Sequence, residues 1–163
     1  MNQETEMLKK RGVTVTALAV EPRAKKSVYP AVFAQRVQGR EKRQLGEVFG
    51  IKKFGVNLTI LSPGAQSALL HRHSKQEEFV YVLKGEAILV TDKGEHVIRA
   101  GDCAGFGAGG VAHMLVNRSA ADVHYLEVGD RENGDDVEYP QDDLKATMTP
   151  QGWAFTHKNG DSY

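Results

Sequence analysis

The chain has 163 residues, of which 40% are hydrophobic and 26% charged, with 21 basic and 21 acidic side chains and a formal net charge of zero. That length suits one domain, and the charge balance argues against a general nucleic-acid or membrane binder. One cysteine, Cys103, excludes an intrachain disulfide and points to a reducing, cytoplasmic setting. The zero net charge conceals an asymmetry. Residues 1–53 hold 12 Lys/Arg and 5 Asp/Glu, whereas residues 54–163 hold 9 and 16. A basic front and an acidic tail could dock on each other, within or between subunits, or remain two solvated faces.

Residues 1–12 are polar and expected to fray. Lys9-Lys10-Arg11 before Val13–Val20 resembles a signal peptide only faintly, and residues 13–20 read better as an edge strand. Pro22 and Pro30 punctuate an irregular segment with Tyr29 and Phe33 as anchors. Arg36–Arg43 is strongly basic, and Gly46–Gly50 reads as a turn. From Phe54 the pattern becomes that of strands. Phe54, Val56, Leu58 and Ile60 alternate with Gly55, Asn57 and Thr59. Further strands are expected at Leu69–His73, Glu78–Lys84, Ala87–Thr91, Glu95–Arg99, His113–Asn117 and Val123–Val128. Asp92-Lys93-Gly94 makes a hairpin turn, and Phe106–Gly110 a glycine-rich bend. Turn signals at this spacing, with no helical stretch between them, imply an all-β sandwich or barrel. After Gly129 the chain reads as acidic and irregular, with a helical turn within Tyr139–Leu144. Trp153, Phe155 and Tyr163 are expected to pin the end back onto the barrel.

The chemistry concentrates between Gly64 and Gly85. His71 and His73 are one residue apart, so an extended backbone sends both imidazoles to one side. A carboxylate, Glu77 or Glu78, follows shortly after. Two imidazoles and a carboxylate converging on one point outline a metal site.

Two stretches resemble the paired motifs of the cupin superfamily. His71-Arg72-His73, Glu78 and Gly85 follow the first motif, although Gly64 lies one residue further away than the pattern asks. Gly101 through Gly110, His113 and Asn117 follow the second, with Gly107 or Ala108 where proline is usual. The phrases EEFVYVLKGEAILVTDKGE, AGDCAGFGAGGVAHMLVNRS and YLEVGDR and the YPQDDL tail are similar to a group of small bacterial cupins, some labelled sugar-phosphate isomerases. The resemblance implies a double-stranded β-helix, or jelly-roll barrel, over about residues 50–128. An N-terminal arm (1–49) and an acidic C-terminal extension (129–163) would complete a single domain. It also implies four metal ligands: His71, His73, Glu78 (which alone leaves six residues before Gly85) and His113. Three neutral imidazoles and one carboxylate suit Zn, Fe, Mn, Ni, Co or Cu better than Mg or Ca.

The pocket wall is expected from Phe54, Val56, Val80, Val82, Phe106 and Met114 or Leu115. Some cupin lyases use a tyrosine two residues beyond the ligand glutamate. That position is Val80 here, and Tyr81 should point outward. Cys103 reads as a small buried residue, and His96 and His124 as structural or surface histidines. Arg43, Lys52 and Arg99 are candidates for an acidic substrate at the mouth. The expected function is a metal-dependent enzyme acting on a small polar molecule, of isomerase, epimerase or lyase type, with Glu78 a candidate base. A metal-dependent dioxygenase and a non-catalytic binding or sensing module are the alternatives. A homodimer is expected, because small cupins commonly pair through N-terminal strands.

Overall fold

The structure, a computed structural model, describes residues 13–25 and 27–163. Residues 1–12, expected to fray, lie outside the described residues. The strands are β1 (Arg40–Gln44), β2 (Phe54–Leu61), β3 (Arg72–His73), β4 (Glu78–Lys84), β5 (Glu86–Thr91) and β6 (Gly94–Arg99). They continue with β7 (Cys103–Phe106), β8 (His113–Val116), β9 (Val123–Asp130), β10 (Asp136–Glu138), β11 (Lys145–Thr149) and β12 (Gly152–Thr156).

All pairings between these strands are antiparallel, in three sheets. One has the order β1-β2-β9-β4-β7, one β6-β5-β8, and one β12-β11-β10-β3. The first two face each other across a core that draws on both. Leu61, Val80, Val82, Phe106, Val123 and Tyr125 from the five-stranded sheet meet Ala87, Leu89, Ile98 and Leu115 from the three-stranded one. Alternation is what permits this, since every second residue of a strand faces the partner sheet. The bridges Gln66↔Val116 and His71↔His113 carry the three-stranded layer on toward β3 and the third sheet. The all-β jelly-roll expectation therefore holds.

The flanks differ from expectation. Residues 13–20 contain a short 3-10 turn at Ala17–Ala19 and no strand. Gly46–Gly50 overlaps a one-turn helix at Leu45–Val48. The basic run supplies β1, whose charged residues hid it from a search for apolar alternation. The tail forms β10, β11 and β12, and its expected irregularity is corrected accordingly. Val137, Tyr139, Leu144 and Ala146 bury with Leu69 in a second core, against Tyr29, Phe33, Trp153 and Phe155. The anchors chosen on the arm thus meet the anchors chosen on the tail. Charge adds links between arm and tail: Arg36 Nη1 lies 2.5 Å from Asp142 Oδ1, and Arg131 pairs with Glu47. Cys103 is exposed, because β7 turns it outward opposite Tyr81.

Candidate metal centre and cavity

His71 and His113 face each other as a cross-strand pair, with the His113 N–H donating to His71 O at 2.8 Å and the His71 N–H to His113 O at 3.3 Å. Strand parity puts His73 on the same side as His71. Arg72 takes the other side, where it pairs with Glu138 at 2.8 Å and Asp92 at 3.3 Å. Glu78 opens β4 between Phe106 and Gly129. Glu77 is exposed.

Three imidazole nitrogens converge on one oxygen. Nε2 of His113, His71 and His73 lie 2.9, 3.3 and 3.5 Å from Glu78 Oε2. Ligand atoms of His71, His73 and Glu78 all lie within 4.8 Å of one another. His113 joins the cluster through the same carboxylate oxygen, its ring stacked on Phe106 with centroids 3.4 Å apart.

The far sides of the rings are also held. His71 Nδ1 is 2.8 Å from Leu69 O, His113 Nδ1 3.4 Å from Val111 O, and His73 Nδ1 2.6 Å from Asp135 Oδ2. Each of these partners is an acceptor, so each Nδ1 carries the proton; a neutral ring then presents its Nε2 lone pair to Glu78, and a ring with a second proton on Nε2 donates to that carboxylate as imidazolium. Lone pairs facing a carboxylate oxygen repel unless a proton or a cation lies between them. The donor set, the tautomers and the outer acceptors thus fit a bound metal cation.

Charge follows the same geometry. Burial favours the neutral form of Glu78. Hydrogen bonds from His113 and His71 and the nearby imidazole charge outweigh that, and hold its pKa well below the usual value. Burial likewise disfavours His71 imidazolium, yet Glu78 leaves its pKa raised. His113 is shifted down, chiefly by burial. Asp135 is fully buried. Burial would raise its pKa, but His73 and the backbone N–H groups of Lys75 and Gln76 hold it low.

The cluster opens into a cavity of about 350 Å³. Of the expected wall residues, Val80, Phe106 and Leu115 line it. Phe54, Val56 and Val82 do not, which corrects the expected wall. Phe54 is 41% exposed near the end of β2, Val56 is half-buried away from the cavity, and Val82 is sealed in the core between the sheets. Tyr81 points outward as expected.

Sequence reasoning missed much of the lining. Tyr29 comes from the arm, and Val137, Tyr139, Trp153 and Phe155 from the tail. Tyr139 stacks near His71 with centroids 6.2 Å apart, and Trp153 lies 6.1 Å from His73. Burial raises the pKa of Tyr139, which keeps its hydroxyl protonated. The cationic lining also differs from expectation. Arg43, Lys52 and Arg99 stay outside the cavity, and Arg23, Arg40 and Lys42 line it. The available signal was Arg40-x-Lys42 at strand spacing; Arg23 had none.

A family model described as a cupin domain matches residues 57–129. The crystal structure of a sugar phosphate isomerase from a cupin superfamily of Silicibacter pomeroyi is 39% identical, with a TM-score of 0.87 over 93% of this chain and 96% of that one. A provisionally named sugar phosphate isomerase from Acidithiobacillus ferrooxidans is 25% identical, with a TM-score of 0.71 over 86% and 98%. A polyketide cyclase from Streptomyces resistomycificus shares the fold at 22% identity, with a TM-score of 0.61 over 74% of this chain and 80% of that one. No curated protein matches significantly.

Proposed function

The chain belongs to the cupin superfamily, and we propose that it is a metal-dependent enzyme acting on a small polar molecule by isomerase, epimerase or lyase chemistry. The observation that carries this reading is the convergence of the three histidine Nε2 atoms on Glu78 Oε2 inside a cavity of small-molecule size. The name of the Silicibacter pomeroyi relative agrees with it.

In this reading His71, His73, His113 and Glu78 hold one divalent transition metal, which supplies Lewis acidity toward a substrate carbonyl or hydroxyl. Glu78 acts first as a ligand. A carboxylate held well below its ordinary pKa is a weak general base. Tyr139, kept protonated by burial, offers a hydrogen-bond donor to a substrate oxygen near His71. Tyr29, Trp153 and Phe155 form apolar wall that limits water around the substrate. The functional unit in this reading is a homodimer.

Elemental analysis of freshly purified protein, followed by a substrate screen on the same sample, tests the proposal. Zinc or manganese with turnover of a hydroxy-carbonyl compound and no oxygen consumption is the expected result. Iron with oxygen uptake would replace it by a dioxygenase. Protein that carries no metal, and whose ligand binding survives His71→Ala, would remove the metal reading altogether.

A further inference from the structure

Isomerase chemistry needs a group that takes a proton from carbon and gives it back. Among the described residues two carboxylates line the cavity, Glu78 and Glu127. Three imidazoles already engage Glu78 Oε2, and in the reading above that carboxylate is a metal ligand. The histidines are ligands too. Arginine stays protonated at any physiological pH, and a phenol is protonated at neutral pH, so Arg23, Arg40, Tyr29, Tyr125 and Tyr139 serve as donors rather than bases. Glu127 remains.

Its place in the fold suits the task. On the β4–β9 ladder Gly129 stands opposite Glu78 and Glu127 opposite Val80. Glu127 and Glu78 are therefore diagonal neighbours on the inward face, with backbones about 7–8 Å apart. That gap is wide enough for a two-carbon unit of substrate to lie between the carboxylates. The Glu127 side chain is 19% exposed. Lys42 forms an ion pair with its Oε1, which also accepts from Asn57 Nδ2 at 3.1 Å. Among the described residues none bonds Oε2. One oxygen is thus held and the other is left to face a substrate. Burial lowers the pKa of Lys42, and the Glu127 charge counters that shift.

We propose that Glu127 is the catalytic base that moves a proton between the two carbons of an α-hydroxy carbonyl substrate, held in place by Lys42 and Asn57. The proposal rests on the enzyme reading above and assigns its proton-transfer step. Glu127 Oε2 takes the proton from the carbon that bears the hydroxyl. The C–H electron pair forms a carbon–carbon double bond, and the carbonyl π pair moves onto its oxygen, giving an enediolate. The hydroxyl proton crosses to that oxygen. Glu127 returns its proton to the former carbonyl carbon, and the other oxygen becomes the carbonyl. Lys42 keeps its protons throughout, so the cycle is balanced without an oxidant or reductant.

The test is hydrogen exchange. Full-length protein as purified, and a sample stripped of metal by chelator, are incubated in D2O with dihydroxyacetone and separately with D-glyceraldehyde, and carbon-bound deuterium is followed by NMR. Wild-type protein as purified is expected to exchange faster than buffer. Glu127→Gln should slow exchange about 100- to 10,000-fold, the contribution of a general base, while KM and zinc affinity stay of the same order as wild type. The glutamine carbonyl oxygen can still accept from Lys42 and Asn57. Glu127→Asp, which keeps the charge but withdraws it by one methylene, should lose less and guards against a folding defect in the glutamine variant. A wild-type rate in Glu127→Gln, or a loss carried by KM alone, would overturn the proposal. So would a wild-type protein that exchanges neither compound, and zinc titration of the same sample then shows whether the metal reading falls with it. Exchange that depends on Glu127 but survives metal stripping would support the base while removing the metal reading.

Discussion

Asp135→Asn should weaken metal binding while leaving the fold intact. Asp135 Oδ2 accepts from His73 Nδ1 at 2.6 Å. Its Oδ1 accepts from Lys75 N at 2.7 Å, Ser74 Oγ at 3.1 Å and Gln76 N at 3.2 Å. An asparagine must keep its single oxygen on those donors, which turns its NH2 toward His73. Nδ1 then becomes the acceptor, and the ring proton moves to Nε2, which faces Glu78 Oε2 at 3.5 Å. The lone pair available to a metal is lost. Replacing such an outer partner costs about 10- to 100-fold in metal affinity, or about 1.4–2.8 kcal/mol. Stability of the metal-free protein should change by only about 1 kcal/mol, because the new Nε2–H donates to Glu78. Asp135→Ala, by contrast, strands four donors and should be far less stable. The assay is zinc titration against a competing chelator, with urea denaturation of the metal-free protein alongside. Wild-type zinc affinity in a folded Asp135→Asn protein would refute the tautomer argument.

The other predictions concern charge, backbone and assembly. In metal-free protein, Glu78 and Asp135 have folded pKa values below their unfolded ones, so they stabilise above the ordinary carboxylate range, and that contribution disappears as pH falls through the folded values. His71 is shifted up, so its contribution is full below its unfolded value of 6.5 and fades as pH rises through the folded one; urea midpoints from acid to mildly alkaline pH, with His71→Ala removing the alkaline limb, check both signs. Gly85 has φ of 83° and would put a Cβ 2.8 Å from Asp122 O. Gly85→Ala should therefore cost about 2–4 kcal/mol, combining left-handed strain with overpacking, read from the same urea curves. We propose that the homodimer uses, in place of the N-terminal strands first expected, the outward face of β4, where Phe79, Tyr81 and Leu83 are 42%, 39% and 46% exposed. Light scattering should give twice the chain mass, Tyr81→Glu should lower it, and dimerisation should shield Cys103, opposite Tyr81, from a maleimide. A wild-type monomer at micromolar concentration would end the dimer expectation.

Legibility followed the physical signal each segment carried. β4 was readable at its full length, Glu78–Lys84, because Phe79–Leu83 is apolar and β-prone and Gly85 stops it. β2, β5, β6, β8 and β9 were readable within a few residues for the same reason. β7 was hidden in glycine and alanine, whose side chains do not report a face. β1 was hidden because its period of two is written in charge, Arg40 and Lys42 turning toward the cavity. His71 and His73 were legible through spacing, since an H-x-H pair must share one face of an extended chain, whereas Glu78 over Glu77 and His113 came from the resemblance to the cupin motifs. Asp135 was not, because its place depends on β10 pairing with β3, which puts it beside His73 across 62 positions of sequence, and an acidic tail gives no cue for which carboxylate will be buried.

That pairing changes what the tail is for. Val137 opposite His73 ties β10 to the strand that carries two of the histidines. The same tail brings Asp135 behind one ring, Tyr139 beside another and Trp153 into the cavity. The arm contributes in parallel, Tyr29 packing on Tyr139 and Phe155 with centroids 5.9 and 5.8 Å apart while Arg23 reaches the cationic region. A barrel reduced to residues 50–128 would keep His71, His73, Glu78 and His113 but lose the partner of His73 Nδ1, Tyr29, Tyr139 and the lining cations Arg23, Arg40 and Lys42. The four candidate ligands lie in the barrel, whereas Asp135 behind one ring and part of the cavity lining come from the two flanks. Substitutions in the flanks should therefore reshape the cavity lining without touching His71, His73, Glu78 or His113.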